Sequence, residues 1–368
     1  MPRTGVLRGR RHEVRRTVRP WRFLLRERTH NNAPAQGMCP VGSRHAALGN
    51  AMDIETYRRH GLHRNFNEVN PDGIVNSRAN AEIAQALDTP GDAHYHPCPE
   101  ATKRPDVPEG TVRSIRGYAA SSVFPDTRRD IWVYTPAGLG QHQHAPGLIV
   151  FNDGAYYLDR NGPVRATRVL DNLIAAGDLD PLVGVFVMPG ARRGGPSERV
   201  RRDQRSMEYD SMTDDYVRFL AEDVLPLVEE TVGRPFAPEP IRRAICGISS
   251  GGICAFNAAW HRPDLFGRVI SHCGSFTAIR GGHNFPYLVR STPRKPLRVF
   301  LQSGAADADI IFGSWPLANQ EMAAALEFAG YDCRFEFGTG GHNLRHGGAL
   351  FADTLRWLFE SSPKSTAA

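Results

Sequence analysis

From about residue 111 onward, short apolar runs alternate with longer stretches in which apolar residues recur every three or four positions. The runs Thr111–Ala120, Ile131–Thr135, Leu148–Phe151, Leu182–Met188, Arg243–Gly247, Arg268–Cys273, Leu297–Gln302 and Cys333–Phe337 predict strands. Several are apolar at consecutive positions, as expected of parallel strands covered on both faces. The periodic stretches Val164–Ala176, Asp214–Thr231, Gly252–His261, Pro316–Ala329 and Leu350–Glu360 predict helices. Strands separated by helices of this length imply an α/β domain: a mostly parallel central sheet, right-handed crossovers, helices on both faces. Ligands of such sheets sit beyond the carboxyl ends of the strands. The Gly190–Ser206 stretch, with six Arg around Gly194-Gly195-Pro196, reads as a long loop.

Residues before about 105 lack this periodicity and are rich in Arg, Asn, His and Pro; one helix is predicted at Ala79–Leu87, capped by Asn76 or Ser77. The pattern therefore divides the chain into a basic, disordered tail (1–37), an irregular extension (38–105), the α/β domain (106–362) and a short tail (363–368). Charge sharpens that division. The net charge is +6, but residues 1–30 carry ten Arg against two Glu, a net of +8 that leaves the remainder at −2. A basic tail can neutralise phosphates of nucleic acid or lipid, yet the α/β domain carries no such excess, and no nucleic-acid partner is expected for it. Arg22 interrupts the apolar stretch Trp21–Leu25, so no secretion signal is read there, although the Arg-rich start has some likeness to an organellar transit peptide. No run of about 18 apolar residues predicts a membrane span.

Six cysteines occur, at positions 39, 98, 246, 254, 273 and 333. Four lie in apolar strand or helix patterns and read as buried thiols, which with no secretion signal implies a reducing, cytoplasmic setting without disulfides. His94, His96 and Cys98 alternate in an extended stretch, but three donors with no fourth nearby read as solvated residues, so no metal is expected.

Chemistry concentrates in one run. Gly247, Ser249 and Gly251 fit G-x-S-x-G, with the apolar strand Arg243–Gly247 before and the small-residue helix beginning at Gly252 after. A serine on such a turn is lifted above the sheet, and its neighbours must lack bulk so that the chain can fold back. The turn also aims the Ser250 N–H and the helix N-terminus at a developing oxyanion. That context predicts an α/β-hydrolase fold with Ser249 as nucleophile. In that fold an acid and a histidine follow in chain order. Asp307 comes just past the strand Leu297–Gln302, with Asp309 as its competitor; His342 comes after Gly338–Gly341, with His346 as its competitor. His342 is preferred because it comes first after the strand. The second oxyanion donor falls in the loop after Leu148–Phe151, at Gly154 and Ala155, where glycine lets the backbone approach an anion.

The runs Val150–Tyr157, Gly247–Gly252, Gly313–Gly348 and Thr354–Phe359 resemble the enterochelin-esterase-like branch of the "Putative esterase" family, over roughly residues 97–360. The resemblance implies an α/β-hydrolase with a Ser–Asp–His triad, mapped here onto Ser249, Asp307 and His342. Arg205–Asp210 is similar to a segment that faces the active site in that family, which implies Arg205 and Glu208 as substrate-binding residues. Ala306 stands where the family often has Asn before the acid. The implied activity is hydrolysis of a small-molecule carboxylic ester through an acyl-enzyme, with no cofactor. Acyl transfer or lactone hydrolysis on the same triad, and non-catalytic binding on a hydrolase scaffold, are the alternatives.

Overall fold

The computed structural model describes residues 88–192, 198–310 and 312–360, with backbone alone over 198–203. The basic tail, the Ala79–Leu87 helix expectation and the 363–368 tail lie outside the described residues.

The strands are β1 (Thr111–Tyr118), β2 (Thr127–Thr135), β3 (Gly147–Asn152), β4 (Leu182–Val187), β5 (Ala191–Arg192), β6 (Arg243–Ile248), β7 (Arg268–His272), β8 (Arg298–Ala306), β9 (Asp309–Ile310), β10 (Gly313–Ser314) and β11 (Asp332–Gly341). The main sheet runs β1-β2-β4-β3-β6-β7-β8-β11, with β5 beside β2. β2 is antiparallel to β1, β4 and β5, and the pairings from β4 across to β11 are parallel. β9 and β10 form a separate hairpin.

Alternate side chains on each central strand enter different cores, as the two-residue period requires. Ile131, Val133, Leu148, Val150, Val183 and Val185 pack on one face with the helices Leu225–Val232, Ser250–His261 and Trp315–Phe328. Trp132, Tyr134, Ile149, Phe151 and Phe186 pack on the other with the helices Ala166–Ala176 and Phe351–Phe359. Burial on both faces is why these strands are apolar at consecutive positions. Among the described residues, no helix is long and apolar enough to cross a membrane.

Four departures from the sequence reading have physical reasons. The expected Gly190–Ser206 loop contains much of the helix Glu198–Tyr209. Its inward positions include Gln204, Arg205 and Glu208, all buried, so it shows no apolar period although it is packed like a core helix. The expected helix Asp214–Thr231 is a helix at Asp215–Phe219, a π-type segment at Leu220–Val224 and a second helix at Leu225–Val232. Pro226 offers no N–H, and the chain widens just before it. The helices Gly154–Leu158 and Phe285–Ser291 are too short to show a period. β11 continues through Gly338–Gly341, which glycine content had made look like loop.

Residues 88–105 are packed onto the α/β domain. Cys98 and Ala101 join the core of Trp132, and Asn172 Nδ2 donates to the Glu100 and Thr102 carbonyls at 2.6 and 2.9 Å.

Candidate active site

Ser249 stands between β6 and the helix Ser250–His261, with φ 61° and ψ −124°. Positive φ costs a non-glycine residue of order 1–3 kcal/mol, and such strain clusters at functional turns. The backbone over-determines the turn: Ser249 N–H donates to His272 O at 2.9 Å, and its own carbonyl accepts from Gly252, Ile253 and Ser275. A Cβ at Gly247 would lie 2.1 Å from Gly251 O, so this position admits only glycine. That close approach is the reason for the motif's first glycine.

Three side chains form one hydrogen-bonded chain. His342 Nε2 lies 3.0 Å from Ser249 Oγ, and His342 Nδ1 lies 2.5 Å from Asp307 Oδ1. All three are buried, with Ser249 3% exposed. Asp307 is held in turn: Ser303 Oγ donates to Oδ2 at 2.6 Å and Ala308 N–H to Oδ1 at 2.8 Å. The competitors are elsewhere. Asp309 is exposed in β9. His346 stacks on Tyr95 at 4.2 Å, and its Nδ1 faces Gln302 Nε2 at 3.2 Å.

Two further residues touch this chain. Ser275 Oγ lies 3.3 Å from Ser249 Oγ and accepts the Trp315 indole N–H at 3.2 Å; the same indole meets His342 edge-on. Sequence offered no pattern for Ser275, whereas Trp315 lies within the resembling run Gly313–Gly348.

Gly154 opens the helix Gly154–Leu158, so its N–H and that of Ala155 have no partner within the helix. Asn152 Nδ2 donates to Gly251 O at 2.9 Å, which ties this loop to the start of the helix carrying Ser250. The glycine itself serves packing: a Cβ there would lie 2.5 Å from Phe186 Cα. The room that the missing Cβ leaves is thus filled by Phe186.

Arg205 and Glu208 were expected to face substrate, and both are buried in ion pairs instead. Arg205 grips Asp153 bidentately, Nη2 to Oδ2 at 2.7 Å and Nε to Oδ1 at 3.1 Å. Burial works against the Arg205 charge, and Asp153 more than restores it. Glu208 takes both Arg129 Nη atoms at 2.6 and 3.0 Å, with Gly190 N–H and Gln204 Nε2 completing its shell. Burial also pushes the Asp210 carboxyl up to about 6, against the pull of the Arg205 charge. This polar layer holds the loop of Asp153 and Gly154 beside Ser250. Arg205→Met should therefore lower the unfolding free energy by about 3–5 kcal/mol, because it strands a buried carboxylate; chemical denaturation measures it, and a loss under about 1 kcal/mol would remove this role for the pair.

Among the described residues, Cys273, Asp307 and His342 are the set whose donor atoms converge, within 4.8 Å of one another. Burial, then Asp307, pushes the Cys273 thiol far up. His94 and His96 are exposed while Cys98 is buried, so those three do not form such a set.

The strand order and the turn at Ser249 define an α/β-hydrolase fold. The chain belongs to the "Putative esterase" family, whose model matches residues 122–358. It is 27% identical over 268 residues to the iron(III) enterobactin esterase of Dickeya dadantii, covering 66% of this chain and 54% of that one. It is likewise 27% identical over 235 residues to the iron(III) enterobactin esterase of Escherichia coli K12, covering 62% and 51%. The chain thus spans about half the length of the curated relatives it matches. Its fold is similar to that of the Shigella flexneri enterobactin esterase crystallised in the presence of enterobactin, with TM-score 0.55, 20% identity, and coverage of 72% and 62%. It is also similar to a ferulic acid esterase from Anaeromyces mucronatus in complex with ferulic acid, with TM-score 0.54, 16% identity, and coverage of 72% and 96%.

Proposed function

We propose that the protein is a serine esterase that hydrolyses a small-molecule carboxylic ester through an acyl-enzyme on Ser249. The observation that carries this reading is the hydrogen-bonded chain from Ser249 Oγ through His342 to Asp307. The enterobactin and ferulic acid esterases among its relatives support an ester as the substrate class.

Ser249 Oγ attacks the ester carbonyl carbon while its proton passes to His342 Nε2. Asp307 accepts the Nδ1–H hydrogen bond, which keeps Nε2 as the acceptor and stabilises the imidazolium that forms. The N–H groups of Ser250, Gly154 and Ala155 are the candidate donors to the tetrahedral oxyanion. Collapse breaks the bond to the alkoxy oxygen, which leaves with the proton from Nε2. Water then adds to the acyl carbonyl, again giving a proton to Nε2, and the acid departs as Ser249 recovers its proton. Every step moves a proton or an acyl group, so the scheme needs no redox or carrier cofactor.

The thiols of Cys98, Cys246, Cys254, Cys273 and Cys333 are free, which supports a reducing compartment such as the cytoplasm. Labelling with a fluorophosphonate tests the mechanism directly. One equivalent of label per chain, on Ser249 and abolished by Ser249→Ala, is the expected outcome. Absence of labelling in a protein that still cleaves esters would overturn the nucleophile.

A further inference from the structure

The segment before the sheet does more than pack. We propose that Asp92 is a positioning residue for His342, so that the base is set by a carboxylate outside the family-matched residues. This rests on the reading of His342 as the base. Asp92 ends the short turn Pro90–Asp92, thirty residues before the match begins at 122, and is 2% exposed.

Its carboxylate takes hold of both chain neighbours of His342. Gly341 N–H donates to it at 3.1 and 3.2 Å, and Asn343 Nδ2 donates to Oδ2 at 3.0 Å. The same oxygen accepts the Thr89 backbone N–H at 2.7 Å and hydroxyl at 2.9 Å, which fixes the carboxylate from its own side. Ionised acceptors with several donors make stronger bonds than neutral ones. A Cβ at Gly340 would lie 2.5 Å from Asp92 Oδ1, so this glycine leaves room for the carboxylate.

The need for such a clamp follows from sheet topology. Among the described residues β11 is an edge strand that pairs only with β8, and its register slips between Gly338 and Gly341, just before the histidine. On that side no strand among the described residues holds the backbone. The segment 88–95 takes the strand's place. Thr339 Oγ1 donates to Gly91 O at 2.9 Å, Thr339 N–H donates to Tyr95 Oη at 3.1 Å, and Arg345 pairs with Asp88 at 2.8 Å. Among these contacts, only those of Asp92 fall on the residues that flank His342.

A shift of about 1 Å at a catalytic group costs on the order of 10²-fold in rate. Asp92→Ala should therefore lower kcat by about 10- to 100-fold with KM changed less than about threefold. Asp92→Asn, which keeps the shape but turns a donor toward Gly341 or Asn343, should lower kcat in the same direction. The test is steady-state kinetics on the full chain for both variants beside Asp88→Ala and Ser249→Ala. Thermal melts and the far-downfield proton resonance of His342 Nδ1–H complete it. In the Asp92 variants the resonance should broaden or vanish well below the melting temperature. Asp88→Ala, which touches neither flanking residue, should keep kcat within about twofold. Wild-type kcat in both Asp92 variants, or a lower melting temperature with the resonance intact and kcat unchanged below it, would overturn the clamp alone. Activity surviving in Ser249→Ala would overturn the triad, and the clamp with it.

Discussion

Replacing Ser249 with Ala should lower ester hydrolysis by at least about three orders of magnitude and leave the fold intact. Removing Oγ deletes the bond-forming atom, and neither neighbour supplies another. Ser275 Oγ is 3.3 Å from the lost hydroxyl but carries the Trp315 indole N–H rather than an imidazole. Stability should hardly change. Alanine has the same Cβ as serine, so the strain at φ 61° is the same in both. The backbone bonds from Ser249 to His272 and Ser275 do not involve the side chain. Rate measurements on the ester that the wild type cleaves, paired with a thermal melt, check both halves. A variant that kept more than about a tenth of the wild-type rate would eliminate Ser249 as nucleophile.

What the sequence exposed of this site, and what it hid, follows from how far each constraint reaches along the chain. The turn at Ser249 is local: Gly247 meets Gly251 four residues away, so the requirement for glycine is written beside the serine. Asp307 and His342 were readable because each follows the end of an apolar strand, and strand ends in a parallel sheet share one edge. Cross-chain partnerships left no pattern. Arg205 and Glu208 stand in a charged stretch that looks like solvated loop, and only contact with Asp153 and Arg129, 52 and 79 residues away, makes it a buried helix. Asp92 meets Gly341 across 249 residues, and nothing near it announces the contact. Gly154 carries a constraint that the sequence did not display: besides following a strand, its missing Cβ admits the backbone of Phe186.

His342→Ala should cost nearly as much as Ser249→Ala, and His346→Ala far less. Both histidines follow β11 within five residues, so their difference is one of geometry. His342 is the first residue after the strand ends at Gly341, which places its ring between Ser249 Oγ at 3.0 Å and Asp307 Oδ1 at 2.5 Å. One turn further on, His346 lies in the helix Arg345–Ala349, its ring against Tyr95 and its Nδ1 toward Gln302. Burial pushes the His346 imidazole down, and its ring contacts are to Tyr95 and Gln302 rather than to Ser249. Without His342 the Ser249 proton has no imidazole within hydrogen-bond reach, and the Asp307 carboxylate loses its Nδ1–H. His342→Ala is therefore expected to fall by about three orders of magnitude, while His346→Ala keeps at least about a tenth of the rate. The sharper check is the double variant. Residues that act as one unit are not additive, so Ser249→Ala with His342→Ala should be no slower than either alone. Losses that multiplied would mean that the two side chains contribute independently, and the hydrogen-bonded chain would then not be the catalytic unit.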